Sequence, residues 1–314
     1  MPTSRKQPLL SFFGLSPLSR FDGPGARVVV FFQGCPIACE WCHSPHSQPV
    51  TAPLLFYPDR CKECGRCAAS CPNMVHRFEN ERHILNRDRC AGCGLCIAAC
   101  PDSSLYSAAS VLHLPTRILP VAEVFTLIYG HARLSDGVTL SGGEALWQAD
   151  AAEALLTLLR ERGLHTAVET SGLLPPKVYE RFKPLVDTWL FGARLVTDSS
   201  LKRHTEAVRA ALQTLTADRR PDIIVRIPMI PGVMDDKSVL QDTADILKEF
   251  EIDRVWLNPW NIHQSVYYRA SGTHSAFPQP ASGDIRQCEQ ALPAYFSMRG
   301  FSVVSPGTAC ARPR

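Results

Sequence analysis

Thirteen cysteines occur in the 314-residue chain, and eleven of them fall between Cys35 and Cys100. Cys61, Cys64, Cys67 and Cys71 are spaced C-x2-C-x2-C-x3-C and followed by Pro72. Cys90, Cys93, Cys96 and Cys100 repeat that spacing before Pro101. Three thiolates two residues apart can wrap one iron–sulfur cubane, and the fourth reaches a neighbouring cluster. The spacing predicts two 4Fe-4S clusters: one on Cys61, Cys64, Cys67 and Cys100, the other on Cys90, Cys93, Cys96 and Cys71. A pair of zinc knuckles is the plainer alternative, but zinc closes with four ligands in simpler pairs.

Cys35-Pro-Ile-Ala-Cys39-Glu-Trp-Cys42 is a different group. Its three thiolates leave one iron of a four-iron cluster without a protein ligand, and an open metal position is where cofactor or substrate chemistry takes place. Three structural thiols, or a zinc site completed by His43 or His46, are the alternatives. Both histidines read more simply as loop residues, with His43 touching a cofactor through its backbone. Cys288 and Cys310 read as a packing thiol and a tail thiol.

The elements that must position these groups alternate. Ala26 to Gln33 reads as a buried strand directly before the Cys35 loop. Residues 1–20 read as a lead-in, and residues 50–114, cysteine-rich and bounded by prolines, as an inserted module. After Pro120, helices over 121–134, 149–162, 177–182, 201–217, 236–250 and 284–299 alternate with strands over 137–140, 165–169, 186–191, 222–228, 254–257 and 301–304. Such alternation predicts a parallel sheet with right-handed crossovers, whose reactive groups collect at the carboxyl ends of the strands. Ser141-Gly-Gly-Glu144 and Thr170-Ser-Gly172 fall at those ends.

Composition narrows the classes. The net charge of +3 is too mild for a nucleic-acid surface or a polybasic membrane patch. Apolar runs such as Val28 to Phe32 fall far short of the roughly 20 residues of a membrane span. The amino terminus carries no apolar signal core, so the expectation is a cytoplasmic protein whose cysteines bind metal before they form disulfides.

Cys35-x3-Cys39-x2-Cys42, with Trp41 before the last cysteine, resembles the signature of radical-SAM enzymes. Ser19-Arg-Phe-Asp22-Gly-Pro-Gly-Ala-Arg27, Phe31-Phe-Gln-Gly34-Cys35, Cys42-His-Ser-Pro45, Ser141-Gly-Gly-Glu144 and Arg226-Ile-Pro-Met-Ile-Pro-Gly232 look like the glycyl-radical-enzyme activating enzymes. The doubled cysteine pattern looks like a bacterial-type ferredoxin. The resemblance spans about Ser19 to Pro259. It implies an α/β fold: a partial parallel (β/α)6 barrel of radical-SAM type, formed by residues 1–49 and 115–314, with a two-cluster 4Fe-4S ferredoxin insert at 50–114. It implies three 4Fe-4S clusters and S-adenosylmethionine as cofactors. The partner is then a glycyl-radical enzyme, which loses a hydrogen from a glycine to a 5′-deoxyadenosyl radical, and the reductant is a flavodoxin or ferredoxin.

By the same resemblance, Trp41, Cys42, His43, Gly142, Gly143, Glu144, Thr170, Ser171, Arg194 and Asn261 lie around S-adenosylmethionine, with Glu144 steadying its ammonium end. The chain departs from the family where Gly192-Ala193-Arg194 replaces Asp-x-Lys and Asn261 replaces a histidine. Arg194 keeps a positive charge, whereas Gly192 cannot replace an acid, so any monovalent cation that related enzymes hold there has one ligand fewer in this chain. Trp256 and Trp260 read as core, with a channel wall as the alternative. Two rival functions are a radical-SAM enzyme acting on a small molecule and an electron-transfer ferredoxin fused to an inert α/β domain.

Overall fold

The computed structural model describes residues 7–37, 39–80, 82–103, 110–193, 201–218 and 222–304. The chain opens with strands β1 (Leu9–Ser19) and β2 (Arg27–Phe32). The cysteine-rich excursion holds β3 (Leu55–Phe56), α1 (Arg66–Ser70), β4 (His76–Glu79), β5 (Arg82–Leu85), α2 (Leu95–Ala99) and β6 (Leu112–His113). Next come β7 (Arg117–Pro120), α3 (Val121–Ala132), β8 (Val138–Gly142), α4 (Ala149–Glu161), β9 (Thr166–Thr170), α5 (Pro176–Phe182) and β10 (Thr188–Gly192). The remainder is α6 (Leu201–Thr216), β11 (Asp222–Pro228), α7 (Lys237–Glu249), β12 (Arg254–Asn258), α8 (Gln264–Ser271), α9 (Ser282–Met298) and β13 (Ser302–Val304).

One large sheet organises the molecule, in the order β13-β12-β11-β10-β9-β8-β2-β1-β7. From β13 to β2 every pairing is parallel; β1 is antiparallel to both β2 and β7. Parallel strands covered on both faces lose the polar alternation of a half-exposed sheet, which is why Val28-Val-Val-Phe-Phe32 reads as one apolar run. Successive side chains point to opposite faces. Val28, Val30, Phe32, Val138, Leu140, Val168, Trp189, Phe191, Val225 and Leu257 join the helices in the main core. Leu190, Ile224 and Trp256 form a small cluster of their own, at positions of the opposite parity.

Two expectations are corrected by these elements. Residues 9–19 are a strand rather than a lead-in. Gly14, Pro17 and two register shifts against β2 interrupt the pattern that marks a strand in sequence. The seven expected strands are all present and parallel, β13 at one edge making one more than the six of the expected barrel, while β1 and β7 add antiparallel strands at the other edge.

Within residues 54–114, β3 pairs with β6, and β4 with β5, both antiparallel. Leu54, Phe56, Cys67, Val75, Cys96, Ile97, Val111 and Leu112 form a separate apolar cluster. Helices α1 and α2 start alike, each from a left-handed glycine, Gly65 at φ 73° and Gly94 at φ 75°. Among the described residues no helix is long and apolar enough to cross a membrane.

Candidate functional site

The carboxyl end of β2 runs straight into the Cys35 loop, and the neighbouring end of β8 runs into Gly142-Gly143-Glu144. The two turns are stitched together by backbone. Gly143 N–H donates to Phe32 O and Glu144 N–H to Gly34 O, both at 2.9 Å, while Gly34 and Cys35 N–H donate to Ser47 and Gln48 carbonyls. This closeness requires glycine: a Cβ on Gly143 would lie 2.2 Å from Gly34 O, and one on Gly142 (φ +108°) 2.4 Å from Phe32 N. Buried Gln33 completes the cradle, its amide donating to His46 O (2.8 Å) and Pro49 O (2.6 Å).

Glu144 is 1% exposed and its carboxylate reaches across to the end of β9. It accepts from Ser171 N–H (2.9 Å), Ser171 Oγ (2.7 Å) and Thr170 Oγ1 (3.2 Å). Burial pushes the Cys35 thiol up to about 12, with the charges of Glu144, Cys39 and Cys42 adding to the effect. These four groups are therefore close enough to feel one another, and three half-buried sulfurs gathered in one loop suit a shared cation. No disulfide joins the cysteines among the described residues. The donor set fits an iron–sulfur cluster.

Helix α8 braces the loop from the other side. Gln264 Nε2 donates to Cys42 O (3.3 Å) and Tyr268 Oη to Glu40 O (3.2 Å). The ring of His43 meets Trp260 edge-on at 5.6 Å, and Phe277 packs on both Trp41 and Trp260. Trp260 and Trp256 are buried, as the core reading expects. His46 is buried beside Phe13 and Tyr267.

Below the loop, one face of the sheet carries a polar network. Arg226 pairs with Glu169 (3.1 Å) and Asp22 (3.6 Å) and donates to Asn258 Oδ1 (2.9 Å). Ser141 Oγ donates to Glu169 at 2.6 Å. Burial pushes the Asp22 carboxyl above its ordinary 3.8, opposed by Arg226 and reinforced by Glu169. Arg27 lies on the same face, fully buried, donating to Thr139 Oγ1 (2.7 Å) and Val138 O (2.9 Å).

In the cysteine-rich segment, Cys61, Cys64, Cys67 and Cys100 line one cavity, with His83 and Asp102. Cys71, Cys90, Cys93 and Cys96 line a second, with His76 and Asn73. The chain thus brings together the two crossed sets that the spacing predicts. Burial pushes Cys67 up to about 11 and Cys96 up to about 12, so here too the sulfurs suit a cation better than free thiolate. His83 lies 3.5 Å from Cys61 Sγ and 2.9 Å from His76.

Of the residues expected around S-adenosylmethionine, Gly142, Gly143, Glu144, Thr170 and Ser171 converge. Trp41, Cys42 and His43 adjoin them through the cysteine loop. Asn261 Oδ1 accepts from His263 N–H and so closes its own turn. Arg194 and Cys310 lie outside the described residues, and Cys288 is buried in the core. The sequence motifs contain Asp22 and Arg226 but do not join them with Glu169 and Asn258 in one network. The available signal was a charge at alternate positions of otherwise apolar strands. Helix α8 is missed as well, because its bracing role has no motif.

A family model described as "4Fe-4S dicluster domain" matches residues 54–106. The chain is 32% identical over 245 residues to the choline trimethylamine-lyase activating enzyme of Oleidesulfovibrio alaskensis, covering 76% of this chain and 78% of that one. It is 34% identical over 253 residues to the trans-4-hydroxy-L-proline dehydratase activating enzyme of Clostridioides difficile, covering 79% and 83%. It is 34% identical over 248 residues to the benzylsuccinate synthase activating enzyme of Thauera aromatica, covering 74% and 73%.

Proposed function

The chain belongs to the family of glycyl-radical-enzyme activating enzymes, and we propose that its Cys35 loop and its Gly142-Gly143-Glu144 turn together form the radical-generating site. It is a radical-SAM activase. When bound, a four-iron cluster with S-adenosylmethionine supplies, on one-electron reduction, the 5′-deoxyadenosyl radical that takes a hydrogen from a glycine of the partner enzyme.

The protein's own contribution is placement. Cys35, Cys39 and Cys42 supply three sulfurs and leave the fourth position to the cofactor. Gly142 and Gly143 let backbone come close, and Glu144, held by Thr170 and Ser171, sets a carboxylate beside the sulfurs without a flexible stem. Trp41, His43, Trp260 and Phe277 exclude water from that side. Arg194 and Asn261 complete the proposed cofactor contacts.

The observation that carries this reading is the stitching of the cysteine loop to the Glu144 turn by the Gly143–Phe32 and Glu144–Gly34 bonds. A plain electron carrier has no use for it. We assign the cysteine-rich segment, residues 50–114, as a two-cluster insert on the crossed ligand sets, which makes three 4Fe-4S clusters in all. The rest, 1–49 and 115–314, forms the radical-SAM domain. A flavodoxin or ferredoxin serves as reductant.

Reconstituted protein with dithionite and S-adenosylmethionine should release 5′-deoxyadenosine, and with its partner enzyme should give a glycyl doublet in electron paramagnetic resonance. Full cluster content with no 5′-deoxyadenosine sinks the site assignment. Cleavage with a persistent blank for the doublet, against an authentic partner, favours a small-molecule substrate.

A further inference from the structure

Two buried histidines lie between the cysteine cavities, and the radical chemistry leaves them without a task. His83 lines the cavity of Cys61, Cys64, Cys67 and Cys100, and His76 lines that of Cys71, Cys90, Cys93 and Cys96. The rings face each other, with His76 Nδ1 2.9 Å from His83 Nε2. Both are held firmly. His83 stacks on Phe78 at 4.6 Å and packs against Phe56 at 4.5 Å, and the two histidines are 9% and 4% exposed.

The hydrogen-bond distances assign a direction to this pair. Across 2.9 Å one nitrogen carries the hydrogen and the other accepts it. The other nitrogen of His83, Nδ1, lies 3.5 Å from Cys61 Sγ. A cysteine that ligates iron is a thiolate and only accepts. A lone pair on Nδ1 would be repelled by that sulfur, whereas an N–H is attracted to it. Nε2 itself lies 3.7 Å from Cys67 Sγ, a second sulfur of the same set, so either tautomer aims an N–H of His83 at that set. The shorter sulfur contact assigns the hydrogen to Nδ1, and Nε2 then accepts from His76 Nδ1–H, which holds this tautomer.

We propose that His83 is the hydrogen-bond donor that raises the reduction potential of the cluster on Cys61, Cys64, Cys67 and Cys100, with His76 as its positioning residue. The proposal rests on the two-cluster reading of the insert. Reduction adds negative charge to the cluster and its sulfurs, and an N–H dipole aimed at one sulfur stabilises the reduced form. Among the described residues the second set has no such donor: the sulfurs of Cys71, Cys90, Cys93 and Cys96 receive no side-chain hydrogen bond, and Cys71 accepts from the Val75 N–H at 3.5 Å. Two ligand sets with identical spacing are thus inequivalent, and the one containing Cys61 is the higher in potential. A single electron from a low-potential one-electron reductant enters the cluster, and the hydrogen stays on His83.

The test is a redox titration of the full reconstituted chain with dithionite, followed by electron paramagnetic resonance. Iron and sulfide are measured first, and signals that respond to S-adenosylmethionine are set aside. His83→Phe keeps a ring between Phe56 and Phe78 but removes the donor. One of the two midpoint potentials should fall by about 59 mV, a tenfold change in its one-electron equilibrium, while the other stays. His76→Phe should move the same potential the same way by a smaller amount, and His83→Gln, which can donate through its amide, should recover part of the loss. Unchanged potentials in His83→Phe at full cluster content overturn the proposal, as do equal shifts of both. A parent protein with iron for fewer than two insert clusters overturns the underlying reading, and does so before any histidine is changed.

Discussion

Arg87 Nη2 donates to the Ala270 carbonyl across 2.8 Å, joining positions 183 residues apart. Arg87 stands in the turn before Cys90, and its Nε also donates to Leu54 O at 3.0 Å. Ala270 is near the end of α8, the helix whose Gln264 and Tyr268 hold the carbonyls of Cys42 and Glu40. One short helix therefore touches both the cysteine-rich segment and the Cys35 loop. Its stop is matched to this contact, since a Cβ on Gly272 (φ +72°) would fall 2.3 Å from Arg87 Nη1.

Arg87→Met keeps the apolar stem and removes both donors, each worth about 1.5–3 kcal/mol when a charged group is involved. Amide exchange across residues 264–271, read by mass spectrometry, should quicken, and S-adenosylmethionine cleavage driven by a protein reductant should slow. Gly272→Ala should act in the same direction by pushing the guanidinium away. Arg87→Lys should rescue little, because one ammonium cannot span two carbonyls as the planar fork does. Parental exchange in Arg87→Met would mean that α8 stands without this strut.

Gly143→Ala places a methyl 2.2 Å from Gly34 O, against backbone that has nowhere to go. The variant should lose the Cys35-loop cluster while keeping the insert clusters, seen as a fall in iron content with the ferredoxin-type signals retained. A Gly163→Ala control, where a Cβ meets nothing within 4 Å although φ is +68°, should keep all its iron. Full iron in Gly143→Ala would show that the two turns can separate without consequence.

Glu144→Gln removes the charge and leaves an amide in place of the carboxylate that accepts from Ser171 and Thr170. Loss of a charged acceptor from one interaction amounts to about 1.5–3 kcal/mol, roughly a 10- to 100-fold weakening of S-adenosylmethionine binding if the carboxylate meets its ammonium end. Equilibrium binding to the oxidised, reconstituted protein reads this directly. An unchanged affinity accompanied by a lower unfolding midpoint would restrict Glu144 to tying β8 to β9.

The parts of this molecule legible in sequence are those where one residue type at one spacing has one use. Cysteine spacing alone anticipated which four cysteines line each of the two cavities, and Gly142-Gly143 marked a close backbone approach. The long helices and apolar strands of the parallel sheet followed from their periodicity. What stayed hidden depends on distant partners. Strand β1 owes its place to pairing on two sides, despite Gly14 and Pro17. Helix α8 matters through what it holds rather than what it contains, and His76 and His83 acquire meaning only when a hairpin folds them between two cavities. Arg27, quoted as part of a signature, turned out to be fully buried against Thr139 and the Val138 carbonyl.

Asp187 offers a pH-dependent handle away from every cysteine. Burial raises its pKa, but the Thr166 N–H (2.8 Å), the Thr166 hydroxyl (3.0 Å) and Arg160 (2.9 Å) outweigh burial, and with His165 they hold the carboxyl below its ordinary 3.8. A carboxyl that gives up its proton more readily folded than unfolded stabilises the fold fully above the unfolded value. That stabilisation fades as pH falls through the lower, folded value. Asp187→Asn removes it at every pH. The difference in urea-unfolding free energy between parent and variant should be constant above about pH 5 and shrink below 3.8. A gap that holds steady through the acid range would mean that Asp187 titrates alike in both states and that its bonds to Thr166 confer no preference for the ionised form.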